Sequence, residues 1–199
     1  MVDSGSFQRT AVAHVVQAGY VREDTDGQHV GSTVGLVLDG DVVLVVDPGL
    51  VADRASLLDA IRALGTAPED VTDVVISHHH PDHTVNIALF PAVPVHDFQS
   101  VIEGDVFTRR DADGVHLTPS IRLLATPGHT PQDLTTLVGT ADEVAALTHL
   151  WWTAAGPADD PYSPDRELLR RQRERVLELA TLVVPGHGAP FRPTPDTPR

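Results

Sequence analysis

The sequence predicts an α/β fold, because strand-like apolar runs alternate along the chain with segments of helical periodicity. Residues 42–46 are all Val or Leu, as in a buried strand, whereas residues 53–64 place apolar side chains on one helical face. The length of 199 residues and the hydrophobic content of 41% fit one compact domain. We expect that domain at residues 13–191, with a flexible N-terminus at residues 1–12 and a Pro-rich tail at residues 192–199.

The first half of the chain predicts a β meander, a helix and a buried strand. In order, these elements are strands at residues 13–18, 33–38 and 42–46, a helix at residues 53–64 and a strand at residues 71–76. Asp39-Gly40 is a hairpin signal between the second and third strands. Leu57 and Ile61 have helical spacing, and Gly65 marks the end of the helix.

The second half continues the alternation. In order, its elements are a short helix at residues 83–90, strands at residues 121–125, 134–138 and 144–147, a helix that opens at Ser163-Pro164 and a strand at Val183-Val184. Residues 101–119 contain several turn signals and are a candidate for the substrate-facing rim. The late helix carries a cluster of Arg residues interspersed with Glu, which indicates a solvated, ion-paired face.

Composition excludes several classes of protein. The absence of cysteine excludes disulfides, thiolate metal sites and a cysteine nucleophile. The formal charge of −14 opposes nonspecific binding to nucleic-acid phosphates. Because neither a secretory signal nor an apolar run of membrane-spanning length is evident, we expect a cytoplasmic protein with a small-molecule substrate and no membrane partner. A homodimer is left open.

A histidine-rich segment directly follows the last strand of the first half. It is His78-His79-His80-Pro81-Asp82-His83, and five of its six residues can bind a metal. A strand that ends in a tight turn can aim several side chains at one point, so alternate residues could share a small cavity. Those residues are His78, His80, Asp82 and His83. A solvated loop with an adventitious polyhistidine cluster is the alternative interpretation.

Two later histidines occur in the setting that such a cavity would use. His129 and His187 each follow a strand-like run and a Pro-Gly turn, so each is presented at a strand end. Upstream, Asp47 lies in a Val-Asp-Pro-Gly turn directly after the strand at residues 42–46. Nitrogen and oxygen ligands of this kind suit zinc, iron or manganese.

These four motifs, in this order, resemble those of the metallo-β-lactamase superfamily, whose H-x-H-x-D-H signature matches residues 78–83. Residues 83–91, 96–98 and 184–192 look most similar to metallo-β-lactamase domain-containing protein 1 and its small bacterial relatives. The resemblance covers about residues 13–191. It implies an αββα sandwich, in which two mixed β-sheets have helices outside.

The resemblance also implies the metal ligands. His78, His80 and His129 match the ligands of a first ion, and Asp82, His83 and His187 match those of a second. The implied cofactor is Zn²⁺, as one or two ions, with iron or manganese left open. Asp82 is also implied as a catalytic residue that orients or deprotonates the attacking water, and Asp47 as a residue that supports the ligands from behind.

The implied reaction is attack by metal-bound water or hydroxide on the carbonyl of an ester, thioester or lactone. The alternative suggested by the relatives is phosphodiester cleavage of RNA, against which the acidic charge weighs. A metal-binding protein with little hydrolytic activity is a third interpretation.

The chain departs from the family pattern at Thr148-His149, where members usually carry Gly-Asp. That Asp bridges the two metals, whereas a histidine cannot easily join two ions about 3.5–4 Å apart. His149 could ligate one ion or lie near the site without ligating, and Asp133 is a candidate to replace the missing carboxylate. The residues expected to line a substrate pocket are His96, Trp151 and Trp152. We expect His79 to face solvent.

Overall fold

The computed structural model describes residues 8–50 and 53–199. The predicted flexible N-terminus therefore falls largely outside the described residues. At its end, Ala11 is buried and pairs with Thr140. Within the described ranges, no helix combines the length and the apolar character that crossing a bilayer requires.

The described chain folds into short strands and a few helices. In chain order, the first half contains β1 (Val12–Gln17), β2 (Tyr20–Asp24), β3 (Gly27–Gly31), β4 (Val34–Asp39), β5 (Val42–Val46), α1 (Arg54–Ala63), β6 (Asp73–Val75), α2 (Pro81–Thr84), β7 (Val95–His96), β8 (Ser100–Glu103) and β9 (Val106–Arg109). The second half contains β10 (His116–Thr118), β11 (Ile121–Ala125), β12 (Leu134–Gly139), β13 (Val144–Thr148), α3 (Arg166–Leu177) and β14 (Leu182–Pro185). Short 3₁₀ segments occur at Pro68–Asp70 and Val85–Leu89.

The strands form two sheets and one separate hairpin. One sheet has the order β1-β4-β5-β6-β7-β8-β9, the other has the order β10-β11-β12-β13-β14, and β2 pairs with β3. The β5, β6 and β7 strands are parallel neighbours, as are β13 and β14, whereas β1 and β4 are antiparallel. Both sheets are therefore mixed.

Apolar side chains hold the sheets and helices in four layers. Leu44 and Val75 of the first sheet pack with Leu123 of the second in a shared buried cluster. The α1 helix buries Leu57 and Ile61 against the outer face of the first sheet, and α3 packs in the same way on the second. Burial of these apolar faces is the main favourable term in folding. The layers confirm the αββα sandwich.

Local features differ from the sequence prediction in several places. The late helix begins at Arg166 rather than at residues 163–164, because the carboxylate of Asp165 accepts a hydrogen bond from the Leu168 amide at 3.0 Å and caps the helix there. The predicted helix at residues 83–90 is divided between α2 and a 3₁₀ segment. The β2–β3 hairpin and the strands β8, β9 and β10 were not predicted.

The prediction of a solvated, ion-paired late helix is correct for only part of its Arg cluster. Arg170 and Arg171 are exposed and pair with Glu167. Arg173 is instead fully buried, on the same helical face as Leu169. A local charge pattern does not distinguish these positions, because the partners of Arg173 lie outside the helix.

Candidate metal centre

The ends of several strands meet at one edge of the sandwich. The histidine-rich segment follows β6, and the turns after β11, β13 and β14 present His129, His149 and His187. The structure brings together all the predicted ligands, in three overlapping groups: His78, His80 and His129; Asp82, His83 and His187; and His78, His83 and His149. Within each group, the potential ligand atoms lie within 4.8 Å of one another.

The first group consists of three converging imidazole nitrogens. His80 Nδ1 lies 2.9 Å from His78 Nε2 and 3.3 Å from His129 Nε2. Two nitrogens each about 2.0 Å from a tetrahedral zinc ion lie about 3.3 Å apart, so this spacing fits a bound ion.

The second group combines two imidazoles with a carboxylate. Asp82 Oδ2 lies 3.3 Å from His83 Nε2 and 3.7 Å from His187 Nε2. His83 Nε2 is buried and has no hydrogen-bond partner among the described residues. A buried nitrogen without a partner is unfavourable unless another group, such as an ion, takes its lone pair.

The outer nitrogens of these histidines are held by acceptors. His129 Nδ1 donates to Asp160 Oδ2 at 2.7 Å, and His187 Nδ1 donates to the carbonyl oxygen of Gly31 at 3.0 Å. His83 Nδ1 donates to Asp47 Oδ2 at 2.8 Å. Because Nδ1 donates in each ring, Nε2 is the nitrogen that faces the cluster, and it can ligate a metal when the ring is neutral.

Asp47 is fixed by the turn that follows β5. Its backbone has a φ of 52°, a left-handed conformation that is uncommon for a residue with a side chain. Its second carboxylate oxygen accepts a hydrogen bond from the Ser77 amide at 2.7 Å. The turn therefore ties the end of β5 to the start of the histidine-rich segment and places Asp47 behind His83.

His149 lies between the two predicted ligand sets. Its Nε2 is 2.9 Å from His187 Nε2, and its buried Nδ1 has no hydrogen-bond partner among the described residues. A Cβ at Gly186 would overlap the imidazole of His149, so this turn admits the ring only because residue 186 is glycine.

Asp133 does not replace the missing carboxylate. It is buried, and it belongs to none of the described groups that could hold a metal. Its carboxylate instead accepts hydrogen bonds from the amide and hydroxyl of Thr130, in the turn just after His129. Burial raises the pKa of Asp133 to about 6 despite these bonds.

Burial and mutual repulsion disfavour protonation of most of the cluster. Burial lowers the pKa values of His78 and His149 well below 6.5, and neighbouring histidines lower them further. His83 is the exception: burial lowers its pKa, but the carboxylates of Asp47 and Asp82 outweigh that effect and raise it to about 9. Most of the rings are therefore neutral ligands at neutral pH.

Lowering the pH from about 6.5 to about 5 is expected to destabilise the metal-free protein. As the pH falls through 6.5, the unfolded chain takes up protons at His78 and His149 that the folded protein does not. Their contribution is present above pH 6.5 and is lost below it, by up to about 1.4 kcal/mol per pH unit for each histidine.

Two groups with raised pKa values act in the opposite direction. As the pH falls from about 9 to 6.5, the folded protein takes up a proton at His83 that the unfolded chain does not, so His83 stabilises the protein in that interval and contributes a constant amount below it. Asp133 opposes the trend below about pH 6. Thermal unfolding of chelator-treated protein across this pH range measures the effect. A midpoint that stays constant or rises as the pH falls to 5 would contradict the prediction.

A cavity of about 230 Å³ opens onto the cluster. Its floor includes His80, Asp82, His129 and His187. Val21, Gln28 and Val30 of the β2–β3 hairpin form one wall, and the stacked rings of Trp152 and Tyr162 form another, with centroids 5.8 Å apart. Residues 101–119 do not line this cavity, so their prediction as a rim is wrong.

Two of the predicted pocket residues lie elsewhere. Trp151 is fully buried, and its indole N–H donates to the Pro198 carbonyl at 2.8 Å. His96 is buried and donates to Asp73 at 2.8 Å. Both predictions are wrong, because tertiary contacts draw these side chains away from the cavity. Trp152 lines the cavity, and half-exposed His79 lies 3.3 Å from Asp97.

The αββα sandwich and the histidine cluster at its strand ends define an α/β protein with a candidate metal site. The model of the metallo-β-lactamase superfamily matches residues 27–188. The chain therefore belongs to this superfamily.

Curated relatives agree with this assignment. Metallo-β-lactamase domain-containing protein 1 of Xenopus laevis is 32% identical, over 90% of this chain and 80% of its own length. The mouse protein of the same name is 37% identical over 77% of this chain, but the match spans only 62% of the mouse protein. A hydroxyacylglutathione hydrolase from Saccharophagus degradans is 31% identical over 48% of this chain and 38% of its own length.

Solved structures share the fold. A candidate metallo-β-lactamase from Thermotoga maritima has a TM-score of 0.74 and 20% identity, covering 93% of this chain and all of its own. A quorum-quenching N-acyl homoserine lactone lactonase has a TM-score of 0.64 and 15% identity, covering 90% of this chain and 92% of its own. At these identities, the likeness concerns the fold alone.

Proposed function

We propose that this protein is a metal-dependent hydrolase that acts on an uncharged ester, thioester or lactone. The observation that carries the proposal is the orientation of the histidines. Acceptors behind His83, His129 and His187 hold the outer nitrogens, so the inner nitrogens converge on the floor of a cavity. A purely structural cluster has no need of several imidazole nitrogens that face one another.

The chemistry of the donors suits Zn²⁺, which we propose as the ion, at one or two sites. When bound, such an ion supplies Lewis acidity and makes water nucleophilic near neutral pH. His78, His80 and His129 would hold one ion, and Asp82, His83 and His187 would hold a second.

Asp82 is the proposed catalytic carboxylate. It lines the cavity, and its side chain keeps 16% exposure, so it can reach both the cluster and a substrate. Burial raises its pKa, but the contact with His83 at 3.3 Å and the charge of that ring outweigh burial and lower it. Asp82 is therefore ionised at neutral pH and can orient water or accept its proton.

The walls of the cavity favour an uncharged, partly apolar substrate. Val21, Val30 and Trp152 supply apolar surface, and none of the described lining residues is Arg or Lys. Apart from the proposed metal ions, a phosphodiester would find no Arg or Lys side chain there to offset its charge, and the net charge of −14 opposes its approach. The lactonase and hydroxyacylglutathione hydrolase names of similar proteins support carbonyl chemistry.

A metal-binding protein with little hydrolytic activity is the second candidate. One feature favours it: the resemblance implies a bridging carboxylate where this chain has His149, and Asp133, which is bonded to Thr130, does not substitute for it. The ligands of two divalent ions would then include only one carboxylate, Asp82 of the second set. This weakens binding of the second ion, because little negative charge offsets the repulsion between the ions.

The function is tested with protein purified without added metal. Elemental analysis gives the metal content, and hydrolysis is then measured on a p-nitrophenyl ester, an acyl thioester, an acyl lactone, bis(p-nitrophenyl) phosphate and single-stranded RNA. We expect bound metal and chelator-sensitive hydrolysis of at least one of the three carbonyl substrates. We expect no cleavage of bis(p-nitrophenyl) phosphate or RNA. Cleavage of the phosphodiesters alone would overturn the substrate class, and bound metal without hydrolysis would support the second candidate.

A further inference from the structure

Arg173 connects α3 to the segment that follows His149. Its side chain is fully buried and donates hydrogen bonds to three backbone carbonyls: those of Leu150 at 2.8 Å, Pro157 at 2.8 Å and Ala158 at 3.0 Å. Its guanidinium also lies 5.5 Å from the ring centroid of Trp151. A buried guanidinium is costly unless its donors are satisfied, and here the loop at residues 150–158 supplies the acceptors.

Asp160 follows this loop, two positions after Ala158. Its Oδ2 accepts hydrogen bonds from His129 Nδ1 at 2.7 Å and from the indole N–H of Trp152 at 2.8 Å. Its Oδ1 accepts from the Tyr162 amide at 2.9 Å. One buried carboxylate thus accepts from a histidine of the cluster and from both aromatic residues of the cavity wall, through the indole of Trp152 and the backbone amide of Tyr162.

The loop is also bonded to the turn that carries His187. The Trp152 carbonyl accepts a hydrogen bond from the His187 amide at 2.7 Å, and the Trp151 carbonyl accepts one from the Gly186 amide at 3.0 Å. Displacement of the loop would therefore disturb His187 as well as His129.

We propose that Arg173 and Asp160 are positioning residues, which together hold the loop at residues 150–162 as a clasp over the candidate metal centre. Arg173 fixes the backbone of the clasp, and Asp160 fixes the ring of His129 with Nε2 facing the cluster. The same carboxylate sets the position of Trp152 and, through Tyr162, the aromatic wall. This inference rests on the proposed metal-dependent function for its effect on metal binding.

The conservative variants Asp160→Asn and Arg173→Lys test the clasp. Asn at position 160 has one acceptor oxygen and one NH₂ donor, so it cannot accept from His129, Trp152 and the Tyr162 amide together. Lys at position 173 keeps the charge but lacks the planar fork that reaches three carbonyls. Matched controls are Asp159→Asn and Arg171→Lys, whose side chains are exposed on the same loop and helix.

Two measurements separate positioning from general stability. The chain has two tryptophans, both in the clasp, so Trp emission of metal-free protein reports on it directly. We expect a shift in emission and loss of the His129 Nδ1–H resonance in Asp160→Asn. Zinc titration against a chromophoric chelator should give affinity about 10- to 100-fold weaker in both test variants, with the controls unchanged.

The outcomes distinguish this inference from the proposed function. Unchanged emission and an unchanged His129 resonance in Asp160→Asn would overturn the clasp. Zinc affinity equal to that of the natural protein in both test variants would overturn the proposed effect of the clasp on the candidate metal centre. If the natural protein binds no zinc, the proposed function fails, and the emission and resonance measurements on metal-free protein still decide whether the clasp exists.

Discussion

His80→Ala is expected to strip metal from the first site and to reduce hydrolysis on the order of 10³-fold or more, a loss at least as large as that of an oxyanion-hole donor. His80 Nδ1 lies within 3.3 Å of both His78 Nε2 and His129 Nε2, so its removal leaves only two of the three imidazoles that would hold the first ion. The ring is half-buried and lines the cavity, and its loss should leave the core intact.

His79→Ala is the matched control. This neighbouring ring is half-exposed, lies near Asp97 and belongs to none of the described ligand groups. Metal content and kcat/KM are measured for both variants, with thermal unfolding to show that each is folded. Full activity in folded His80→Ala protein would refute the assigned site.

The sequence predicted the parts of the fold and site that depend on local patterns. Apolar runs located strands such as β5 and β11, and the Pro-Gly turns placed His129 and His187 at strand ends, because a turn directly after a strand fixes where its first side chain points. The β2–β3 hairpin was missed because most of its residues are polar and exposed. Its one local signal, Asp26-Gly27, has few apolar residues on either side.

Features that depend on tertiary contacts could not be predicted. Arg173 lies among exposed Arg and Glu residues of α3, and nothing in the helix indicates that its acceptors lie in the loop at residues 150–158. Asp160 follows Asp159 directly, yet only Asp160 is buried against His129. Trp151 and Trp152 are likewise adjacent, with Trp151 in the core and Trp152 in the cavity wall.

His149→Asp is expected to raise the metal-to-protein ratio toward two and to increase turnover of generic esters. In the natural chain, the cluster offers imidazoles and a single carboxylate, Asp82, as ligands for two divalent ions. We therefore expect a tight ion at the site of His78, His80 and His129 and a labile or absent one at the site of Asp82, His83 and His187. A carboxylate about 4 Å from a cation contributes about 4 kcal/mol at an effective dielectric constant of about 20, before desolvation, so affinity for the second ion should rise at least about tenfold.

His149→Asn is the control for this substitution, because it matches Asp in shape but adds no charge. Both variants remove the buried imidazole that presses against Gly186, so any effect of the vacated space appears in both. Calorimetric titration with zinc of the natural protein and of the two variants measures the number and affinity of sites. If only the Asp variant gains affinity for a second zinc ion, the weak second site of the natural protein is due to the missing negative charge. Two equally tight sites in the natural protein, with no gain in the Asp variant, would show that the imidazole of His149, which lies 2.9 Å from His187, already compensates as a nitrogen ligand.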